Sequence, residues 1–124
     1  MPTILLVDDD SLVQNVTKEL LEFLGYTVLS ATTGKKAIEI VQEQKDMVDL
    51  VLLDLSLPDV NGVELIPIFK KINEKIPIIV CTGSLFNDDD ADTFAQNNIK
   101  AILQKPFDFD TIKDTLLRLL PPRP

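Results

Sequence analysis

Five short apolar segments alternate with five segments of helical periodicity along this chain of 124 residues. The apolar segments are residues 3–7, 26–31, 46–53, 77–81 and 100–103, and the helical segments are residues 12–24, 34–44, 62–73, 87–97 and 108–120. Strands that are joined through helices pair as a parallel sheet with right-handed crossovers. The sequence therefore predicts an α/β fold: a single doubly wound five-stranded parallel sheet flanked by five helices.

The first and last helical segments each carry an apolar stripe that we expect to pack on the sheet. In the first segment the apolar residues at helical spacing are Leu12, Val13, Val16, Leu20, Phe23 and Leu24, and Gly25 follows as a C-terminal cap. In the last segment they are Phe109, Ile112, Leu116, Leu119 and Leu120. An interior proline, Pro67, predicts a kink or a late start in the third helix.

The apolar run at residues 50–53 ends in Asp54 and is followed by a proline turn. An unbroken run of Val and Leu fits a strand that is covered on both faces. The acid then lies at the carboxyl end of the strand, where the loops of open parallel sheets form the ligand-binding crevice. Asp54 is therefore the first candidate for a functional residue.

Polar residues follow three other apolar segments in the same way. Asp8 and Asp9 come after the first, Thr82 comes after the fourth, and Lys105 comes shortly after the fifth. Each has an ordinary explanation when taken alone, such as capping a helix or ending a strand. Because parallel strands bring their carboxyl ends to one edge, we expect all of these side chains to lie near Asp54.

This combination of residue types indicates a magnesium-dependent phosphoryl site. Neighbouring carboxylates repel one another unless a cation lies among them, and oxygen ligands without His or thiolate select a hard ion such as Mg²⁺. Asp54 can act as a nucleophile and form a labile acyl phosphate. Lys105 and Mg²⁺ would offset the phosphoryl charge, and Thr82 would donate to a phosphoryl oxygen.

Composition excludes several other kinds of protein. The length suits one domain over residues 1–124, and no apolar run is long enough for a transmembrane helix. One cysteine, Cys81, and no histidine exclude disulfide frameworks and Cys/His zinc sites. A formal net charge of −8 argues against a nucleic-acid surface. Because the N-terminus lacks the pattern of a signal peptide, we expect a cytoplasmic protein without a membrane partner.

Over essentially its whole length the chain resembles the receiver domain of two-component response regulators. The motifs that carry the resemblance are Val7-Asp8-Asp9-Asp10, Asp54 with Leu57-Pro58 and Gly62, Thr82-Gly83, and Lys105-Pro106-Phe107. The resemblance implies a flavodoxin-like, CheY-like sheet with strand order 2-1-3-4-5. It also implies a phosphorylation-dependent signalling switch in a phosphorelay, rather than an enzyme that acts on other substrates.

Carried over by position, the resemblance implies roles for single residues. Asp54 would be the phosphoacceptor, and Mg²⁺ would be bound by Asp9, Asp54 and the backbone carbonyl of Ser56, with Asp8 holding a metal-bound water. Thr82 and Lys105 would contact the phosphoryl group.

Three further positions follow from the same resemblance. Ser56 and Ser84 are at the positions that tune the lifetime of the phosphoryl group. The peptide before Pro106 would be cis.

The chain also departs from the usual receiver pattern. Ile102 stands at the switch position, where an aromatic residue is usual, so the usual signalling rotation is in doubt. Asn98-Ile99 replaces a common Gly-Ala pair, and Asn tolerates the left-handed conformation that glycine would supply. Neither departure touches the phosphorylation chemistry.

The expected partners are a histidine kinase or phosphotransfer protein, and a downstream protein target or an output domain outside this sequence. The chain could be a stand-alone regulator or a receiver excised from a hybrid histidine kinase or transcription factor. A homodimer also remains open.

Two other classes share part of the pattern. A haloacid-dehalogenase-like phosphatase would use Asp8 and Asp10, but it leaves Asp54 without a role and lacks a late acidic pair at a strand end. A flavodoxin-like electron carrier needs a phosphate-binding first loop, where three aspartates would repel the ligand.

Overall fold

The computed structural model describes residues 2–83, 88–104 and 108–121. Strands and helices alternate in the order β1 (Thr3–Val7), α1 (Ser11–Phe23), β2 (Thr27–Ala31), α2 (Gly34–Glu43), β3 (Leu50–Asp54), α3 (Gly62–Ile72), β4 (Ile78–Thr82), α4 (Asp88–Gln96), β5 (Ala101–Gln104) and α5 (Phe109–Leu119). The strands form one sheet in the order β2-β1-β3-β4-β5, and every pair is parallel. Both the predicted fold class and the predicted strand order are confirmed.

The three inner strands are buried along their whole length, whereas the two edge strands are buried only in part. Alternate residues of the inner strands point to opposite faces of the sheet and build two separate cores. Leu5, Val51 and Val80 belong to the core beneath α2, α3 and α4. Leu6 and Leu52 belong to the core beneath α1 and α5, which also contains the single cysteine.

Local capping sets the ends of α1. The carboxylate of Asp10 accepts hydrogen bonds from the backbone N–H groups of Leu12 and Val13, so Asp10 is the N-cap. At the other end Gly25 has a φ of 103° and donates its N–H to the carbonyl of Glu22. The cap at Gly25 agrees with the sequence expectation.

The predicted inward face of α1 is correct only for Leu20 and Leu24, which are partly buried and pack against the core. Its buried residues are Gln14 and Leu21. Leu12, Val16 and Phe23 are exposed by 73%, 63% and 82% respectively. At ~100° per residue these three side chains lie on the side of the helix opposite Gln14 and Leu21. The periodicity identifies an apolar stripe, but it does not say which surface covers that stripe.

Helix α5 differs from the prediction in one residue. Ile112 and Leu116 are buried as expected, but Phe109 is 38% exposed. Phe109 is the first residue of the helix and lies beside Val16 of α1 in a shallow groove between the two helices. The apolar stripe of α5 therefore continues into the exposed stripe of α1.

Two backbone features bear on the remaining expectations. Helix α3 begins at Gly62 and includes Pro67 in its interior, so the alternative of a late helix start is wrong. Asn98 has a φ of 55°, which confirms the left-handed conformation expected there.

Within the described residues, no helix combines the length and the apolar character that crossing a membrane requires.

Candidate functional site

Three acidic side chains meet at the carboxyl edge of the sheet. Asp8 follows β1 directly and Asp54 ends β3, and the two strands are neighbours with Val7 paired to Leu53. A carboxylate oxygen from each of Asp8, Asp9 and Asp54 lies within 4.8 Å of the other two. Asp8 and Asp54 are buried and Asp9 is exposed, so the cluster has a buried floor and a side open to solvent.

Thr82 lies at the same edge on the next strand. It is the last residue of β4, is buried, and follows Cys81, which pairs with Asp54 across the ladder. Ser56 is exposed two residues beyond Asp54, and its N–H donates to Asp54 Oδ1 at 3.0 Å. Within the described residues the fold therefore places Asp8, Asp9, Asp54, Ser56 and Thr82 at one edge of the sheet.

Three of the sequence expectations cannot be placed in this way. Lys105, Ser84 and the peptide before Pro106 lie outside the described residues. Ile102 is described: it pairs with Val80 in the β4–β5 ladder and is 41% exposed.

The carboxylate cluster fits a hard divalent cation. Its ligand atoms are all oxygens, and a cation among them would relieve the repulsion between three nearby carboxylates. Mg²⁺ commonly uses one or two carboxylates and keeps several waters, which suits a cluster with one open side.

The sequence model of the response regulator receiver domain family matches residues 4–117. The chain belongs to this family. It is therefore a receiver domain of two-component signalling.

Individual relatives agree with the family match. The transcription factor SKN7 of Candida albicans is 35% identical over 121 residues, a match that covers 97% of this chain and 21% of the transcription factor. Sporulation initiation phosphotransferase F of Bacillus subtilis is 32% identical over 121 residues, covering 95% of this chain and 93% of the relative. The receiver domain thus spans about a fifth of one relative and nearly all of the other.

A solved structure shows the same fold. The crystal structure of a response regulator receiver domain protein (CheY-like) from Methanospirillum hungatei JF-1 has a TM-score of 0.88 and 27% identity to this chain. The match covers 95% of this receiver domain and 92% of that chain.

The loop after β3 holds Asp54 in place through its own backbone. Ser56 pairs with Asn61 across the loop, and the N–H of Gly62 donates to the carbonyl of Leu55 at 2.8 Å. A Cβ atom on Gly62 would lie 2.6 Å from the Cα of Leu55 and 2.8 Å from the carbonyl oxygen of Asp54. Only glycine lets the start of α3 lie this close to the end of β3.

The same loop is joined to α2 by Asp59, whose role the sequence reasoning missed. The two carboxylate oxygens of Asp59 accept the N–H groups of Gly34 at 2.9 Å and Lys35 at 3.1 Å. These hydrogen bonds lower the pKa of Asp59. An exposed Asp in a turn gives no sequence signal that it caps a distant helix.

Gln14 was missed as well. It is a buried amide on the sheet side of α1, and its Nε2 donates to the backbone carbonyls of Asp8 and Ala31. One glutamine among the apolar residues of a helix is easily assigned to the solvent face. The signal that could have found it is its helical spacing of seven residues from Leu21.

Proposed function

We propose that this receiver domain is a phosphorylation switch in which Asp54 accepts a phosphoryl group from the phosphohistidine of a histidine kinase or a phosphotransfer protein. The observation that carries the proposal is the cluster of Asp8, Asp9 and Asp54, with oxygens within 4.8 Å at the carboxyl edge of the sheet. This cluster supports a site in which a carboxylate and a cation act on the same phosphoryl group.

In the transfer step a carboxylate oxygen of Asp54 attacks phosphorus. A P–O bond forms while the P–N bond to the donor imidazole breaks, and the product is an acyl phosphate on Asp54. The bond from Ser56 N–H holds the carboxylate in a fixed orientation on its strand end. Water later cleaves the acyl phosphate to inorganic phosphate and restores Asp54.

Asp9, Asp54 and the backbone carbonyl of Ser56 would hold Mg²⁺, and Asp8 would hold one of its waters. When bound, the cation supplies positive charge to the phosphoryl oxygens as the P–N bond breaks. Asp8 is buried, and the backbone N–H of Asp10 donates to its Oδ1 at 3.0 Å. That hydrogen bond orients the carboxylate of Asp8 toward the other two acids of the cluster.

The remaining site residues would act on the phosphoryl group directly or through water. The buried hydroxyl of Thr82 would donate to one phosphoryl oxygen and the ammonium group of Lys105 would pair with another. Ser56 and Ser84 flank the path of the hydrolytic water in this proposal, so their substitution should change the rate of phosphate loss more than the rate of loading.

The apolar face of α1, made of Leu12, Val16 and Phe23, is the surface on which we expect the phosphodonor to dock. These side chains are largely exposed, and α1 begins two residues after Asp9, so the face leads directly to the cluster. Exposed apolar side chains in one patch are typical of protein-binding surfaces. A helical phosphodonor that covers this patch would bring its phosphohistidine toward Asp54.

The output would pass through protein contacts. With a formal net charge of −8 the domain is poorly suited to bind nucleic acid itself. Ile102 is half-exposed on β5 and is the switch position in our proposal, where an aliphatic side chain takes the place of a rotating aromatic ring. The target is a downstream protein or an output domain of the same polypeptide.

We further propose that residues 1–124 form one receiver domain that works in the cytoplasm and catalyses only its own phosphorylation and dephosphorylation. The structure offers no support for a haloacid-dehalogenase-like reaction at Asp8 and Asp10. Such a reaction needs Asp10 as an acid near the phosphoryl group, but the carboxylate of Asp10 caps α1 through the N–H groups of Leu12 and Val13.

Beryllofluoride, a phosphoryl mimic that binds beside a carboxylate and a cation, tests the site without a kinase. Fluorine NMR should show a bound signal for the wild type with Mg²⁺ and none for Asp54→Asn. Asp49→Asn is a matched control, because Asp49 lies before β3 and bonds to Thr3 at the opposite end of the sheet. A bound signal that persists in Asp54→Asn would contradict the assignment of Asp54.

A further inference from the structure

Gln14 is a buried polar residue on the face of α1 that packs against the sheet. Its side chain is 7% exposed. Burying an amide beside an apolar core costs free energy unless its polar atoms find partners. Gln14 Nε2 meets that requirement with two bonds, donating to the carbonyl oxygen of Asp8 at 3.1 Å and to that of Ala31 at 2.9 Å.

These bonds act on the peptide that joins Asp8 to Asp9. The carbonyl of Asp8 belongs to that peptide, and because a peptide is planar, fixing its oxygen fixes the plane between the two Cα atoms. The N–H of Asp8 donates to Ala31 at 3.0 Å, so the carbonyl of Ala31 receives both Asp8 N–H and Gln14 Nε2. The main chain of Asp8 is therefore held on both sides.

The backbone of Gln14 holds the same turn from its other end. Its N–H donates to the carbonyl of Asp10 at 2.8 Å as the first turn of α1 forms. Gln14 thus holds the turn that carries Asp8 and Asp9 at both ends, with one hydrogen bond from its side chain and one from its main chain.

We infer that Gln14 is a positioning residue of the cation site, which orients the Asp8–Asp9 peptide so that both carboxylates face Asp54. The inference rests on the proposed function, because it requires that the three carboxylates bind a divalent cation. Groups that orient metal ligands without touching the metal typically change affinity by about 10- to 100-fold. A purely structural role would lower stability and leave cation affinity unchanged.

Calorimetric titration of the full chain with Mg²⁺, without a phosphodonor, separates the two roles. Gln14→Met keeps the length of the side chain and removes the amide donor, and we expect it to raise the Kd for Mg²⁺ about tenfold. Thr115→Val is the matched control: Thr115 is also buried and donates to a backbone carbonyl, that of Thr111 at 2.8 Å, but it lies on α5. It should leave the Kd within about twofold of the wild-type value.

A Gln14→Met protein that is folded and binds Mg²⁺ as the wild type does would overturn the inference and leave the cation site standing. A wild type that binds no Mg²⁺ would overturn both. Should Gln14→Met not fold, NMR of the wild type still decides the matter. Saturation with Mg²⁺ should shift the side-chain amide signals of Gln14 more than those of Gln42, which is exposed on α2. Equal shifts would overturn the inference.

Discussion

Gly62 is the residue with the strictest steric requirement near the site. Its missing side chain leaves room for backbone atoms of Asp54 and Leu55, which cannot rotate away as a side chain could. Gly62→Ala should therefore lower the free energy of unfolding by about 2 to 3 kcal/mol, measured by urea denaturation. The exposed substitution Lys71→Ala in the same helix should change it by about 0.5 kcal/mol or less. Equal stability of the two variants would contradict this account.

Asn98 adopts a backbone conformation that most residues avoid. With a φ of 55° it is strained for any side chain that has a Cβ, and Asn is among the residues that tolerate this region best. We expect Asn98→Ala to lose about 1 kcal/mol in free energy of unfolding and Asn98→Gly to be neutral or slightly stabilising. Denaturation of the two variants side by side checks this, and a more stable Asn98→Ala would contradict it.

Helix α2 depends on Asp59 from a distant loop for part of its N-terminal capping. The first two N–H groups of α2 donate to Asp59, and the third, from Lys36, donates to Thr33. Because the helix N-terminus carries partial positive charge, the ionised form of Asp59 is favoured in the folded state. The hydrogen bonds from the N–H groups of Gly34 and Lys35 hold the pKa of Asp59 below its ordinary value of 3.8.

The sign of the pH dependence follows from that lowered pKa. The carboxylate stabilises the fold fully at pH values well above 3.8, and this contribution is lost as the pH falls through the lower pKa of the folded state. Asp59→Asn should therefore melt at a lower temperature than the wild type at neutral pH, and the difference should shrink as the pH falls below 3.8. A difference that is independent of pH would contradict this role of Asp59.

The orientation of α1 shows where sequence reasoning fails at the scale of an element. A stripe of apolar residues at helical spacing predicts a helix correctly, but a stripe can face either a core or a partner. The side that packs on the sheet is set by Leu21 and by Gln14, whose amide satisfies two carbonyls at strand ends. That preference depends on tertiary contacts, which a local pattern does not contain.

Substitutions on the exposed face of α1 test the docking proposal. Val16→Ser and Phe23→Ser should slow transfer from a phosphorylated histidine donor about tenfold or more, because exposed apolar anchors supply much of the binding energy of an interface. The two variants should load from acetyl phosphate at the wild-type rate, since a small donor needs no docking surface. Their stability should change little, because neither side chain is buried. Unchanged transfer from the protein donor would contradict the proposal.

At the scale of the whole molecule, the topology of the sheet made the location of the strand-end residues predictable from the sequence. Parallel strands with right-handed crossovers bring every carboxyl end to one edge of the sheet. An apolar run such as residues 50–53 therefore predicts that the residue after it lies at that edge. Asp8, Asp9 and Asp54 were assigned to one cluster on that basis, and the structure brings them together. The bonds made by Asp59 and Gln14 join segments that are distant in sequence or hidden in a core, and no local pattern indicates them.

The measurement that tests the central claim most directly is intact mass after incubation with Mg²⁺ and acetyl phosphate. The account predicts one added phosphoryl group on the wild type, and none on Asp54→Asn or in the presence of EDTA. Asp49→Asn, whose carboxylate lies at the opposite end of the sheet, should load as the wild type does. Stoichiometric loading of Asp54→Asn, or no loading of the wild type, would contradict the assignment of Asp54 as the phosphoacceptor.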